Sequence, residues 1–197
     1  RLLSDVVETG EHGFGETPDD STPFGAVVGV VPTHSSAVQA TYEELRRLHR
    51  GVVPMVDGDI EGQRKLAGLL AASNPPKIVL TWRDGWEIED AVMWILSADE
   101  TVALPSLNER LNWSATSVAD VLEKFKTKDG PGRAKTDYLA YEEIASVIRD
   151  SAACRGRARF LLNAITRAAL GIHEGCAGLV KDEEKSTTST TVLRIAP

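Results

Sequence analysis

The 197 residues are enough for one large domain, or for one domain with a smaller helical addition, and 42% of them are hydrophobic while 26% are charged. The formal net charge of −7 disfavours a protein that holds nucleic acid by bulk electrostatics, although a metal ion at an acidic site would offset that charge locally. No apolar run approaches the roughly 18 residues of a membrane span. The two cysteines are too few for a disulfide framework, so a reducing, cytoplasmic location is expected.

Apolar runs and helical patterns alternate through the first half of the chain. Each apolar run is short enough for a strand, and each segment behind it carries apolar residues at helical spacing. The predicted order is strand 26–31, helix 36–50, strand 52–56, helix 61–72, strand 77–82 and a helix ending near residue 96. This alternation predicts an α/β fold with a parallel sheet and helices on both of its faces.

The second half of the chain has the pattern of helices joined by polar segments. The predicted helices cover 117–125, 137–149 and 155–170. The Ser- and Thr-rich tail is either disordered or adds an edge strand at 192–195. The expected organisation is an α/β domain over 1–103, a C-terminal helical annex over 104–180 and a polar tail over 181–197.

Two acidic groups follow successive predicted strands. Asp57 and Asp59 end the run 52–56, and Gly58 between them allows a bend. A second group follows the next strand and consists of Glu87, Glu89 and Asp90. Because the carboxyl ends of parallel strands share one sheet edge, these carboxylates are expected near one Mg²⁺-like cation or a pair of them, as in two-metal phosphodiesterases. The alternative is a chance Asp-x-Asp pair with ordinary helix-capping carboxylates.

The segment 53–62, VPMVDGDIEG, and the segment 87–90, EIED, together resemble a Toprim domain. They are most similar to the version in OLD-family (overcoming lysogenization defect) nucleases, and the likeness covers about residues 1–96 and, more loosely, the helical region. The resemblance implies a Rossmann-like sheet and a DNA endonuclease that nicks or cleaves phosphodiesters with Mg²⁺ or Mn²⁺. It implies metal-binding and catalytic roles for Asp57, Asp59 and Glu89. Asp90, from the second acidic group, is a further candidate ligand, with a solvated residue in the first turn of a helix as the alternative.

Lys135 is the expected match to a lysine that these nucleases use beyond the sheet. Such a cation would stabilise charge that develops on the cleaved phosphate, whereas the alternative is a solvated lysine in the basic linker 124–135. Toprim domains also begin with a strand that ends in a glutamate. Residues 1–7 have the pattern of the helix behind that strand, so the strand and its glutamate are expected upstream of Arg1.

The resemblance also implies partners and a biological setting. These are DNA and an ABC-type ATPase domain or chain upstream, with phage defence as the setting and homo-oligomerisation left open.

Two other functions stay open. One is a non-catalytic Toprim-like scaffold that binds DNA or a partner protein. The other is a different Asp-x-Asp metal-dependent phosphoryl transferase, although a haloacid-dehalogenase-like phosphatase would have Gly-Thr or Gly-Val where this chain has Ile60-Glu61-Gly62.

Overall fold

A computed structural model of the chain describes residues 28–33, 37–49, 51–126 and 138–197. The chain divides into two compact units. The helical unit contains Ile88–Arg159, and the sheet unit contains Val27–Glu87 together with Phe160–Pro197. Residues 1–27 lie outside the described part.

The described elements alternate between helix and strand in the first part and become helical in the middle. In chain order they are α1 (Val38–Leu48), β1 (Met55–Val56), α2 (Ile60–Leu70), β2 (Ile78–Trp82), α3 (Ile88–Leu96), a 3-10 turn (Ser97–Asp99), α4 (Glu100–Leu111), α5 (Val118–Lys126), α6 (Tyr138–Asp150), α7 (Ala152–Ala169), β3 (Leu179–Lys181) and β4 (Thr191–Ile195). No helix of the described residues is both long enough and apolar enough to cross a membrane.

The sheet has the order β1-β2-β4-β3, in which only β3 runs antiparallel to its neighbour. Strand β2 pairs with β1 on one side and with β4 along its full length on the other, so that Val79 faces Val192. Parallel strands that are covered on both faces are mostly apolar, and β2 is buried from Val79 to Trp82. The expectation of an α/β fold is thereby confirmed.

One face of the sheet carries α1 and α2 over a shared core. That core joins one residue from each of the three parallel strands to apolar residues of the two helices: Val38, Tyr42, Val56, Leu66, Leu69, Val79 and Val192. Because side chains alternate between the faces of a strand, every second residue of β4 belongs to this face. Arg194 therefore lies on the same face as Val192, one step nearer the carboxyl edge.

The predicted strand 26–31 is wrong for the residues that the structure describes. Val28, Val30 and Val31 have no regular secondary structure, and the last two are 59% and 53% exposed. Residues 26 and 27 lie outside the described part. An apolar run becomes a strand only when a sheet edge pairs with it, and β1 is the edge strand of the described sheet.

The C-terminal tail differs more strongly from the expectation. Both alternatives, disorder and an edge strand, are wrong for 192–195, because β4 lies inside the sheet between β2 and β3. Strand β3 was not predicted. The domain boundaries at 103 and 180 stay predictions. The two compact units have other bounds, because the sheet unit contains residues that come before the helical unit in sequence and residues that come after it.

The helical unit is held by buried apolar residues and by a few long-range polar contacts. Arg110 of α4 forms ion pairs with Glu143 and Asp150 of α6, at 3.1 Å each. The hydroxyl of Ser151 donates to Asp99 Oδ2 at 2.7 Å. Helix α4 was not predicted, because Pro105 interrupts its pattern, but a proline in the second turn removes only one helical hydrogen bond.

Each unit contains one buried free thiol, which gives a separate probe of its opening. Burial raises the pKa of Cys154, in the helical unit, and of Cys176, in the sheet unit. We expect both native thiols to react with a thiol reagent at pH 7.5 at least roughly 100-fold more slowly than in denaturant, because reaction needs local opening. Cys154→Ser and Cys176→Ser variants show which thiol produces each kinetic phase of the reaction. A fast native phase would contradict the burial of the thiol that produces it.

Candidate metal site at the carboxyl edge of the sheet

The three parallel strands end at one edge of the sheet unit, and polar residues follow two of them. Asp57 comes directly after β1, and Arg83 and Asp84 come directly after β2. The last described strand, β4, reaches the same edge with Arg194 opposite Thr81 of β2. Open α/β sheets bind ligands at this edge, so the predicted placement of Asp57 and Asp59 there agrees with the geometry of the sheet.

Backbone hydrogen bonds join the turn after β1 to the turn after β2. The N–H of Gly58 donates to the carbonyl of Trp86 at 2.7 Å, and the N–H of Gly85 donates to the carbonyl of Gly58 at 2.9 Å. A Cβ at Gly58 would lie 2.0 Å from the carbonyl oxygen of Arg83. Glycine is therefore required by the close approach of the two backbones, which fixes the turn between Asp57 and Asp59.

The first turn of α2 fixes Asp59 from the other side. Asp59 is the N-cap of α2, and its Oδ1 accepts a hydrogen bond from the N–H of Gly62 at 2.6 Å. A Cβ at Gly62 would lie 1.9 Å from the carbonyl oxygen of Asp57. The pattern Asp-Gly-Asp-x-x-Gly is thus explained: each glycine lets a neighbouring backbone approach the acidic turn, and the second aspartate caps the helix.

The donor chemistry of Asp57 and Asp59 suits a hard divalent cation. The cap occupies one oxygen of Asp59 and leaves the other for a ligand, and both residues are only partly buried. Protein sites for Mg²⁺ commonly use one or two carboxylates and keep several waters. Within the described ranges, no three His, Cys, Asp or Glu side chains are grouped as they would be around a metal ion. Asp57 and Asp59 would supply two ligands to one ion, and a second ion would need further ligands.

The second acidic group is divided between the units. Glu87 belongs to the sheet unit, while Glu89 and Asp90 lie in the first turn of α3 in the helical unit. Glu89 is 5% exposed, and Asp90 forms an ion pair with Lys126 of α5 at 3.3 Å. The ion pair gives Asp90 a structural role inside its own unit. Shared coordination by Asp57, Asp59 and Glu89 stays a prediction, and Lys135 lies outside the described residues.

A charged cluster that the sequence did not reveal lies beside the acidic turn. Asp84 Oδ1 accepts from Lys185 Nζ at 3.0 Å, and its Oδ2 accepts from Arg194 Nη1 at 3.1 Å. The hydrogen bond from Lys185 and the charges of both cations lower the pKa of Asp84 below its usual value. Asp84 precedes Gly85, whose N–H is bonded to Gly58, so the cluster and the acidic turn are linked through one short segment.

Sequence reasoning missed Lys185 and Arg194 because both are in the polar tail. Each is far from Asp84 along the chain, and only the parallel pairing of β4 with β2 brings them together. The one available signal was the short run Val192-Leu193-Arg194-Ile195, whose apolar residues suit a buried strand with a single cation near its end.

Neither the family models, nor the curated proteins, nor the solved structures contain a match to this chain.

Proposed function

We propose that this chain is the Toprim part of a divalent-metal-dependent DNA endonuclease. The observation that carries the proposal is the construction of the Asp57-Gly58-Asp59 turn at the carboxyl edge of a parallel sheet. Two glycines whose Cβ atoms would overlap neighbouring backbone hold this turn in place. Capping of α2 uses only Asp59, whereas this turn brings two carboxylates, those of Asp57 and Asp59, to the carboxyl edge.

The reaction is hydrolysis of a phosphodiester. A water oxygen bonds to phosphorus, one ester P–O bond breaks, and the departing oxygen ends with a proton that derives from water. A bound Mg²⁺ or Mn²⁺ would supply a Lewis acid for the phosphate oxygens and would lower the pKa of water. Asp57 and Asp59 are the residues that would hold the ion. The N–H of Gly62 fixes the carboxylate of Asp59 in advance, which reduces the reorganisation needed on binding.

Several parts of the proposal rest on the resemblance rather than on the acidic turn. These are Glu89 as a further ligand, Lys135 as the cation that stabilises the transition state, and an ATPase domain or chain that controls access to DNA. The two residue roles are tested separately, because Glu89→Gln and Lys135→Ala change residues that make no part of the turn itself. Loss of nicking in either variant, with the fold retained, supports its role.

The central test compares nicking by Asp57→Asn and Asp59→Asn variants with that of the wild type. Both substitutions remove a negative charge with little change in shape, and asparagine at position 59 still caps α2. We expect each to lower the rate of Mg²⁺- or Mn²⁺-dependent nicking of supercoiled plasmid by about 100-fold or more. The measurement is the rate of conversion to open-circular DNA on agarose gels.

Glu61→Gln provides the matched control. Glu61 is in the same first turn of α2, but its side chain is exposed and pairs with Arg64 at 3.4 Å. We expect its nicking rate to stay within about twofold of the wild type, since an exposed ion pair contributes little. Equal activity of the Asp57 variant and the wild type would refute the metal assignment. Metal-independent DNA binding without any nicking would favour the non-catalytic scaffold.

A further inference from the structure

The geometry of β4 points to a phosphate-binding pair beside the acidic turn. We propose that Lys185 and Arg194 bind a backbone phosphate of DNA next to the phosphodiester that is cleaved. This inference rests on the proposed function and adds to it the residues that hold the substrate. It depends on three observations: the position of Arg194, the way Lys185 is held, and the exposure of Asp84.

Arg194 lies on the face of the sheet that α2 covers, and at the carboxyl edge, where α2 begins. Its neighbour two residues earlier, Val192, packs in the core with Leu66 of α2 and Val56 of β1. Because strand residues alternate between faces, Arg194 projects from that same face and is one residue from the carboxyl end of β4. Asp59 at the start of α2 occupies this edge as well. A guanidinium there suits bidentate contacts with phosphate.

Lys185 is held in place by the loop between β3 and β4. Asp182 anchors this loop, since its N–H donates to the carbonyl of Val192 at 2.9 Å and its Oδ1 accepts from the N–H of Lys185 at 3.2 Å. The side chain of Asp182 is 10% exposed and contacts Lys185 Nζ at 3.3 Å. The ammonium group is therefore positioned before any ligand arrives, while 28% of the lysine side chain remains accessible.

Asp84 is the group that a phosphate would displace. One carboxylate oxygen accepts a hydrogen bond from Lys185 and the other accepts one from Arg194. Two oxygens of a phosphate would accept from the two cations in the same arrangement. The side chain of Asp84 is 63% exposed, so it can rotate away into water. Asp182, in contrast, is nearly buried and would stay with Lys185. The pair thus exchanges an exposed carboxylate for a DNA phosphate without leaving a buried charge uncompensated.

The test measures binding of a fluorescent duplex by anisotropy in EDTA, where no cleavage occurs. We expect Lys185→Ala and Arg194→Ala each to weaken binding by roughly 10-fold and to reduce the slope of log K against log salt by about 1. Asp84→Asn should change affinity in the opposite direction and tighten binding, because it removes the competing charge. A network that served only the fold would not give effects of opposite sign on DNA binding.

Two ion-paired cations of the same unit serve as controls. Lys181→Ala removes a lysine paired with Glu183, and Arg47→Ala removes an arginine paired with Glu44 on α1. Both should bind DNA within about twofold of the wild type. If the wild type nicks DNA and the Lys185 and Arg194 variants bind like these controls, the inference is overturned while the proposed function stands. If the wild type neither binds nor nicks DNA, the proposed function fails and this inference fails with it.

Discussion

Val192→Asp is expected to unfold the sheet unit, whereas Val180→Asp is expected to leave it folded. Val192 has no exposed surface and lies in the interior strand β4, where it faces Val79 and packs with α1 and α2. An unpaired carboxylate there would cost on the order of 5 kcal/mol, which is comparable to the whole stability of an ordinary domain. The measurement is urea unfolding followed by far-UV circular dichroism.

Val180 is the matched control because it has the same side chain in the neighbouring strand. It is 44% exposed on β3, the edge strand, where a charge can reach water. We expect Val180→Asp to lower the free energy of unfolding by about 1 kcal/mol, mainly through the poor strand propensity of aspartate. Similar losses in the two variants would mean that β4 is not an interior strand.

The contrast between β2 and β4 explains which parts of the sheet could be predicted. The run Ile78–Trp82 is apolar apart from Thr81 and follows soon after a double proline, so its sequence alone indicates a buried strand. The residues before β4 are mostly Ser and Thr, and the strand is bounded by polar residues and the chain's last two residues. Its burial comes from pairing with a strand more than 100 residues earlier, and no local pattern records such a partner.

The same limit applies to the candidate site. Asp57 and Asp59 were predicted because both follow one apolar run, so that a single local pattern places them at the sheet edge. The pattern also suggested that Gly58 is needed for a bend. Its φ is not positive, however, and glycine is needed there because another backbone segment approaches closely. That approach involves Arg83, which belongs to another turn. Lys185 and Arg194 were missed for the corresponding reason, since their relation to Asp84 is entirely non-local.

Gly62→Ala and Gly68→Ala change the same helix by one methyl group and are expected to have opposite effects. A Cβ at Gly62 would lie 1.9 Å from the carbonyl oxygen of Asp57, a backbone atom that cannot rotate away. We expect a loss of about 3 kcal/mol in the free energy of unfolding, as for a strongly overpacked site. At Gly68 the nearest atom is the side-chain Oε1 of Gln39 at 3.6 Å, which is ordinary contact.

The Gly68 variant should therefore be more stable than the wild type by roughly 0.5–1 kcal/mol, because alanine restricts the unfolded chain and favours the helix. The rate of metal-dependent nicking distinguishes the two variants further. Gly62→Ala forces the backbone of Asp57 to move relative to α2, so its metal-dependent rate should fall even where the variant remains folded, whereas Gly68→Ala should retain the wild-type rate. Full activity of a folded Gly62→Ala variant would show that hydrolysis does not depend on how closely α2 approaches the acidic turn. The geometry of this turn would then no longer support the assignment of the ion to Asp57 and Asp59.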